Sequence, residues 1–123
     1  MEYRGLGLHQ IEKSFNKKIE ESRTKFITKS LRCGTRIEFK GSVVIIGDIN
    51  SGSEVVAEEN IIVFGNLRGL AHAGAKGNKR AIIVANNIDT KQLRIADIIK
   101  EIEQKPNAVI TKAYVEGKEI VLE

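Results

Sequence analysis

Tryptophan is absent from this chain of 123 residues, and proline, cysteine and methionine occur once each. Aromatic residues make up only 5% of it, whereas Val, Ile and Ala are abundant, which suits a thin interior of stacked aliphatic layers better than a wide ligand-binding barrel. One cysteine, Cys33, excludes an intramolecular disulfide and points to a reducing, cytoplasmic setting. Two histidines, His9 and His72, cannot complete a catalytic zinc site of three protein ligands without carboxylate help. No apolar run resembles a signal peptide or approaches the roughly 20 residues that cross a bilayer. Net charge is +4, but residues 1–30 hold seven Lys and Arg against four Glu, so the remainder is nearly neutral. A clustered basic face with stacking aromatics is therefore missing, which argues against nucleic acid as a partner. The length allows one domain with a real core and is too short for two ordinary ones.

What the chain does have is a repeat. Shifted by 18 residues, the stretch from Gly34 falls onto the stretch from Gly52: Ile37 meets Val55, Phe39 meets Ala57, Val43 meets Ile61, Ile45 meets Val63, Gly47 meets Gly65, and Ile49 meets Leu67. A third copy aligns Ile82, Val84, Asn86 and Ile88 with Ile61, Val63, Gly65 and Leu67, taking up three extra residues near Lys76 to Arg80, and Leu93 with Ile95 begins a fourth. Apolar residues two apart, interrupted by Gly, Asn, Asp and Ser, predict short strands joined by tight turns. So short a unit cannot bury its own apolar side, and successive copies must stack around a shared core, as in a β-solenoid.

From His9 to Thr28, Ile11, Phe15, Ile19 and Phe26 recur at roughly helical spacing and predict one amphipathic helix. The expected organisation is thus a linker-like helical segment over 1–30 and a solenoid domain over 31–123. Asp89 to Lys105 reads as a last strand followed by a short helical turn, ended by Pro106. Alternation through Ala108, Ile110 and Tyr114, then Ile120 and Leu122 beyond Glu116-Gly117, predicts two closing strands that cap the stack.

Candidate catalytic groups do not assemble. Cys33 lacks a neighbouring base, and Gly74-Ala-Lys-Gly-Asn-Lys79 departs from the phosphate-loop spacing and is not followed by a helical pattern. Of Asp48, Glu54, Glu58 and Glu59, most fall in turns or on outward faces, as solvated surface does. No cofactor or metal is expected, and the chain reads as a non-enzyme. Arg32, Asp48, Asn50, Glu54 and Arg68 lie at the rims of the rungs, where a rigid stack holds side chains at fixed spacing for a protein partner.

The run Thr24-Lys-Phe-Ile-Thr-Lys-Ser-Leu-Arg-Cys-Gly-Thr35, with Gly47-Asp-Ile-Asn-Ser-Gly-Ser-Glu-Val-Val-Ala57, Gly65 to Gly77 around His72-Ala-Gly-Ala, and Leu93-Arg-Ile-Ala96, resembles the C-terminal domain of the bacterial septum-site family MinC. The resemblance covers residues 24–123. It implies an all-β fold, a right-handed three-sided β-helix, that forms a homodimer and binds the membrane-associated ATPase MinD, through which alone it reaches the inner face of the membrane. It also implies inhibition of assembly of FtsZ away from mid-cell, with no enzymatic activity. The family's Arg-Ser-Gly-Gln motif for MinD falls on Arg32, Cys33, Gly34 and Thr35, so the second and fourth positions differ, and further MinD contacts fall on Gly52 and Glu54. A basic position used toward FtsZ falls on Leu70. The family's N-terminal FtsZ-inhibiting domain has no counterpart here, as expected of a fragment or a naturally short protein. A self-assembling scaffold resembling the bactofilins is the alternative expectation, with open rung edges in place of caps.

Overall fold

The computed structural model describes residues 23–103 and 109–123, among which the ordered elements are eleven strands and no helix. They are β1 (Thr24–Ile27), β2 (Arg36–Phe39), β3 (Ser42–Ile46), β4 (Glu54–Ala57), β5 (Ile61–Leu67), β6 (Leu70–Ala73), β7 (Ile83–Ile88), β8 (Gln92–Ile95), β9 (Ile98–Glu101), β10 (Thr111–Glu116) and β11 (Glu119–Leu122). Alternate strands go to alternate sheets: one runs β1-β3-β5-β7-β10-β11, the other β2-β4-β6-β8-β9. Pairing is parallel until the last turns, where β10 returns antiparallel on β7 and β9 antiparallel on β8. A third column of parallel bridges, Leu31 to Ile49 to Leu67, links the rungs where the chain passes between the sheets.

The 18-residue shift read in the sequence is the hydrogen-bond register of the first rungs. Ile37 pairs with Val55, Phe39 with Ala57, Val43 with Ile61 and Ile45 with Val63. Residues at matched positions stack into columns that run up the core: Ile27, Ile45, Val63 and Ala85 in one sheet, and Ile37, Val55, Ala71 and Leu93 in the other. Large residues in one rung meet small ones in others; Phe39 and Ile95 bracket Ala57 and Ala73 in one column. Filling a narrow interior at crystal-like density requires this alternation.

A second ladder, made of polar side chains, ties the turns together. Ser30 accepts the Asp48 amide at 2.9 Å, Asp48 accepts the Asn66 amide at 2.7 Å, and Asn66 accepts from the side chain of Asn87 at 2.9 Å. Gly65 follows from the same closeness, because a Cβ there would run into the carbonyl of Gly47 and the Asp48 carboxylate.

Several expectations need correction. The predicted helix does not reach Thr28, since Thr24–Ile27 is a strand paired with β3 and Ile27 is in the core. Backbone hydrogen bonds to a neighbouring rung outweigh a helical spacing carried by one residue, Phe26, which is exposed. The remainder of that helix, and Pro106, lie outside the described residues. In the third rung the inward residues are Ile83 and Ala85, paired with Ile61 and Val63, not Ile82 and Val84. The insertion is one residue longer than expected, and a bulge that sets Phe64 and Gly65 against Asn86 alone restores the register at Leu67 and Ile88. The helical turn expected after Ile95 is instead a hairpin of β8 and β9, turned by Ala96 at φ 55°. The closing hairpin β10-β11 is present and Ile120 is in the core as expected, but on β10 the buried residue is Ala113, while Ile110 is exposed.

Candidate functional site

The corner at which the bridge column passes into the second sheet brings most of the sequence-predicted site residues together. In the first rung Leu31 is buried, and Arg32, Cys33 and Gly34 turn outward before Thr35 leads into β2. The turn closes through a hydrogen bond from the Thr35 amide to the Arg32 carbonyl at 3.0 Å. Directly beside it, the Ser53 amide donates to the Asn50 carbonyl at 3.0 Å and closes the corresponding turn of the second rung. The Gly34 amide donates to the Gly52 carbonyl at 2.9 Å, and the Glu54 amide to the Thr35 carbonyl at 2.9 Å, so the two turns are fixed to each other.

Gly52 is required by this stacking. Its φ is +83°, a left-handed conformation, and a Cβ would meet Sγ of Cys33. Glycine at one turn therefore makes room for the side chain of the other. Cys33 is exposed and free.

The rim residues divide into two kinds. Asn50 is part of the scaffold, because its side-chain amide donates to the Leu31 carbonyl at 2.9 Å. Asp48 belongs to the polar ladder away from the corner, accepting from both the amide and the side chain of Asn66. Neither presents a free side chain to a partner. Arg32, Thr35 and Asn50 line one concavity with Lys29 and Ser30. Gly52, Glu54, Arg68 and Leu70 line a second, which continues to Thr90 and Lys91. Arg68 forms an ion pair with Asp89 at 3.7 Å, longer than a hydrogen bond. Leu70 pairs with Glu54 across β4 and β6 and is half-buried.

Arg36 was not singled out by the sequence, yet it organises the outer edge of this site. Its guanidinium binds Glu38 at 2.7 Å and Glu54 at 3.1 Å, and the two carboxylates, Glu38 foremost, raise its pKa above the ordinary value. The signal was present in the repeat: Arg36 and Glu54 stand 18 residues apart, so they had to be neighbours. Among the described residues no group of three His, Cys, Asp or Glu could hold a metal ion.

A second surface is apolar. On the outer face of the first sheet, Phe26, Val44, Ile62 and Val84 form one register column and Ile46 with Phe64 another. Phe26 is 65% exposed, Phe64 57% and Ile46 48%, an unusual concentration on one side of a sheet.

Comparison with known proteins follows the same outline. The family profile "Septum formation inhibitor MinC, C-terminal domain" matches residues 25–123. The chain is 52% identical over 83 residues to a probable septum site-determining protein MinC of Acetivibrio thermocellus, covering 68% of this chain and 37% of that protein. It is 38% identical over 123 residues to the corresponding protein of Persephonella marina, covering 98% of this chain and 62% of the relative. The chain thus spans less than two thirds of the length of these relatives. Among solved structures, the MinC:MinD cell division protein complex of Aquifex aeolicus contains a chain with a TM-score of 0.79 and 41% identity, covering 83% of this chain and 86% of that one. The repeat, the stacked corner and the matched residues place the chain in the family of MinC C-terminal domains.

Proposed function

We propose that this chain is a non-enzymatic module of a cell-division regulator, built as a right-handed, three-sided β-helix, that docks a MinD-type ATPase on the corner formed by Arg32, Cys33, Gly34, Thr35, Gly52 and Glu54. The observation that carries the reading is the rigid pairing of two adjacent turns through the Gly34 to Gly52 hydrogen bond, which leaves the Arg32 side chain exposed on a fixed backbone. An arginine held in this way can meet a carboxylate with both arms of its guanidinium at little entropic cost. The similarity to a chain of a MinC:MinD complex supplies the class of partner.

A homodimer is the second part of the reading. Two copies joined through the outer face of the first sheet would remove Phe26, Ile46 and Phe64 from water, and a two-fold contact needs only one self-complementary patch. The dimer would present two corners, recruit the chain from the cytoplasm to the membrane through the ATPase, and restrict inhibition of FtsZ assembly to sites away from mid-cell. The antiparallel returns of β9 and β10-β11 close one end of the stack, which favours a closed dimer over an open filament. The test is affinity measurement against the ATP-loaded ATPase, with Arg32→Ala as the variant. Binding by the unaltered dimer and its loss in the variant are expected; equal affinities would remove the corner from the interface.

A further inference from the structure

The insertion that lengthens the third rung belongs neither to the corner nor to the apolar sheet face. It forms the loop Gly74 to Arg80, which leaves β6 at the end opposite the docking corner. Two hydrogen bonds pin its base to the preceding rung: the Gly74 amide to the Glu59 carbonyl at 2.9 Å and the Ala75 amide to the Ala57 carbonyl at 3.0 Å. Its tip is closed internally, with the Gly77 amide donating to the Gly74 carbonyl at 2.8 Å. Residues 76–80 are all exposed, and they include three cations, Lys76, Lys79 and Arg80. None of the three forms an ion pair with a described residue.

We infer that this loop is a contact site for an anionic lipid surface. A protruding turn with three unpaired cations fits a broad negative plane better than a ligand that must be enclosed. Nucleic acid fits less well, because single strands need exposed rings to stack on. The nearby ring, Phe39, is half-buried and has the Lys25 ammonium 5.8 Å from its centroid. Glu38 and Glu58 share a concavity with Lys76 and Lys40, and they temper the attraction without pairing with the loop cations. Each cation near a charged leaflet contributes about fivefold in affinity, so three give a weak contact by themselves. Stable membrane residence usually needs two weak signals. If a MinD-type ATPase docked at the corner supplies the first, the loop supplies the second, and only this pairing of signals rests on the proposed function.

The experiment omits the ATPase, so its outcome is independent of docking at the corner. The full chain is floated with vesicles of equal parts phosphatidylglycerol and phosphatidylcholine, and with phosphatidylcholine vesicles, at low and at raised salt. Flotation with the anionic vesicles only, abolished by salt, is expected. Replacing Lys76→Gln, Lys79→Gln and Arg80→Gln together weakens it by about fivefold per cation, whereas Lys118→Gln in the closing hairpin leaves it unchanged. Circular dichroism and sedimentation confirm that the variants fold. Absence of flotation at low salt, equal binding of neutral vesicles, or unchanged binding of the triple variant would each overturn the inference. So would tighter binding of a short DNA duplex through the same three residues.

Discussion

At the scale of the residue, the corner separates side chains that build from side chains that can bind. Asp48 builds: replacing it by Ala leaves the part-buried amide of Asn66 without its 2.7 Å acceptor, a loss of about 1 kcal/mol. Urea unfolding of Asp48→Ala is expected to show a lower midpoint, with Asp48→Asn falling between. Gly52 builds as well. Gly52→Ala has to hold φ +83° and meet Cys33 Sγ, and a left-handed non-glycine residue alone costs about 1–2 kcal/mol. Adding Cys33→Ala should recover the steric part of that loss and not the conformational part, so the double variant melts above Gly52→Ala and below the unaltered chain. Arg32, in contrast, is exposed and makes no side-chain bond that the scaffold needs. As an interface anchor, Arg32→Ala should weaken ATPase binding by about 2 kcal/mol or more while leaving the melting temperature in place.

At the scale of the element, each rung is stable only against its neighbours. The strands are short, and most carry one buried and one outward column, so the stack is held by the aliphatic columns and the polar ladder together. The outer face of the first sheet is the exception, since Phe26, Ile46 and Phe64 are outward and apolar. Phe64→Glu is expected to convert a dimer to a monomer in sedimentation velocity, with little change in circular dichroism; a variant that remained dimeric would assign the association to another face. Elements were legible in the sequence to the extent that they repeat. The 18-residue period gave the strand partners directly, because parallel rungs of equal length must pair at that interval. It failed where the interval changed. The bulge at Phe64 and Gly65 puts one extra residue of β5 opposite Asn86 of β7, and a periodic reading has no term for it. Thr24–Ile27 is hidden for a different reason: Phe26 continues the helical spacing of Ile11, Phe15 and Ile19, whereas the residue that enters the core is Ile27, 18 positions before its partner Ile45.

At the scale of the whole molecule, the β-solenoid serves as a rigid ruler that carries different surfaces on different sides: a turn corner, an apolar sheet face and a basic loop. The corner was visible from the sequence as a set of family-like residues. Its internal order was not, because which rim side chains are consumed by hydrogen bonds depends on distances that only stacking sets. Asn50 and Asp48 look like Arg68 in the sequence, yet the first two are hydrogen-bonded into the scaffold, whereas Arg68 is held by a 3.7 Å ion pair to Asp89. The central claim is the location of the docking surface, and amide chemical-shift mapping tests it most directly. The isotope-labelled chain is titrated with the ATP-loaded ATPase, and the perturbed amides are placed on the fold. Perturbations concentrated at residues 32–35, 52–54 and 68–70, with the outer face of the first sheet unchanged, are the predicted result. Perturbations confined to the closing hairpin β10-β11 or to that outer face, with the corner silent, would contradict it.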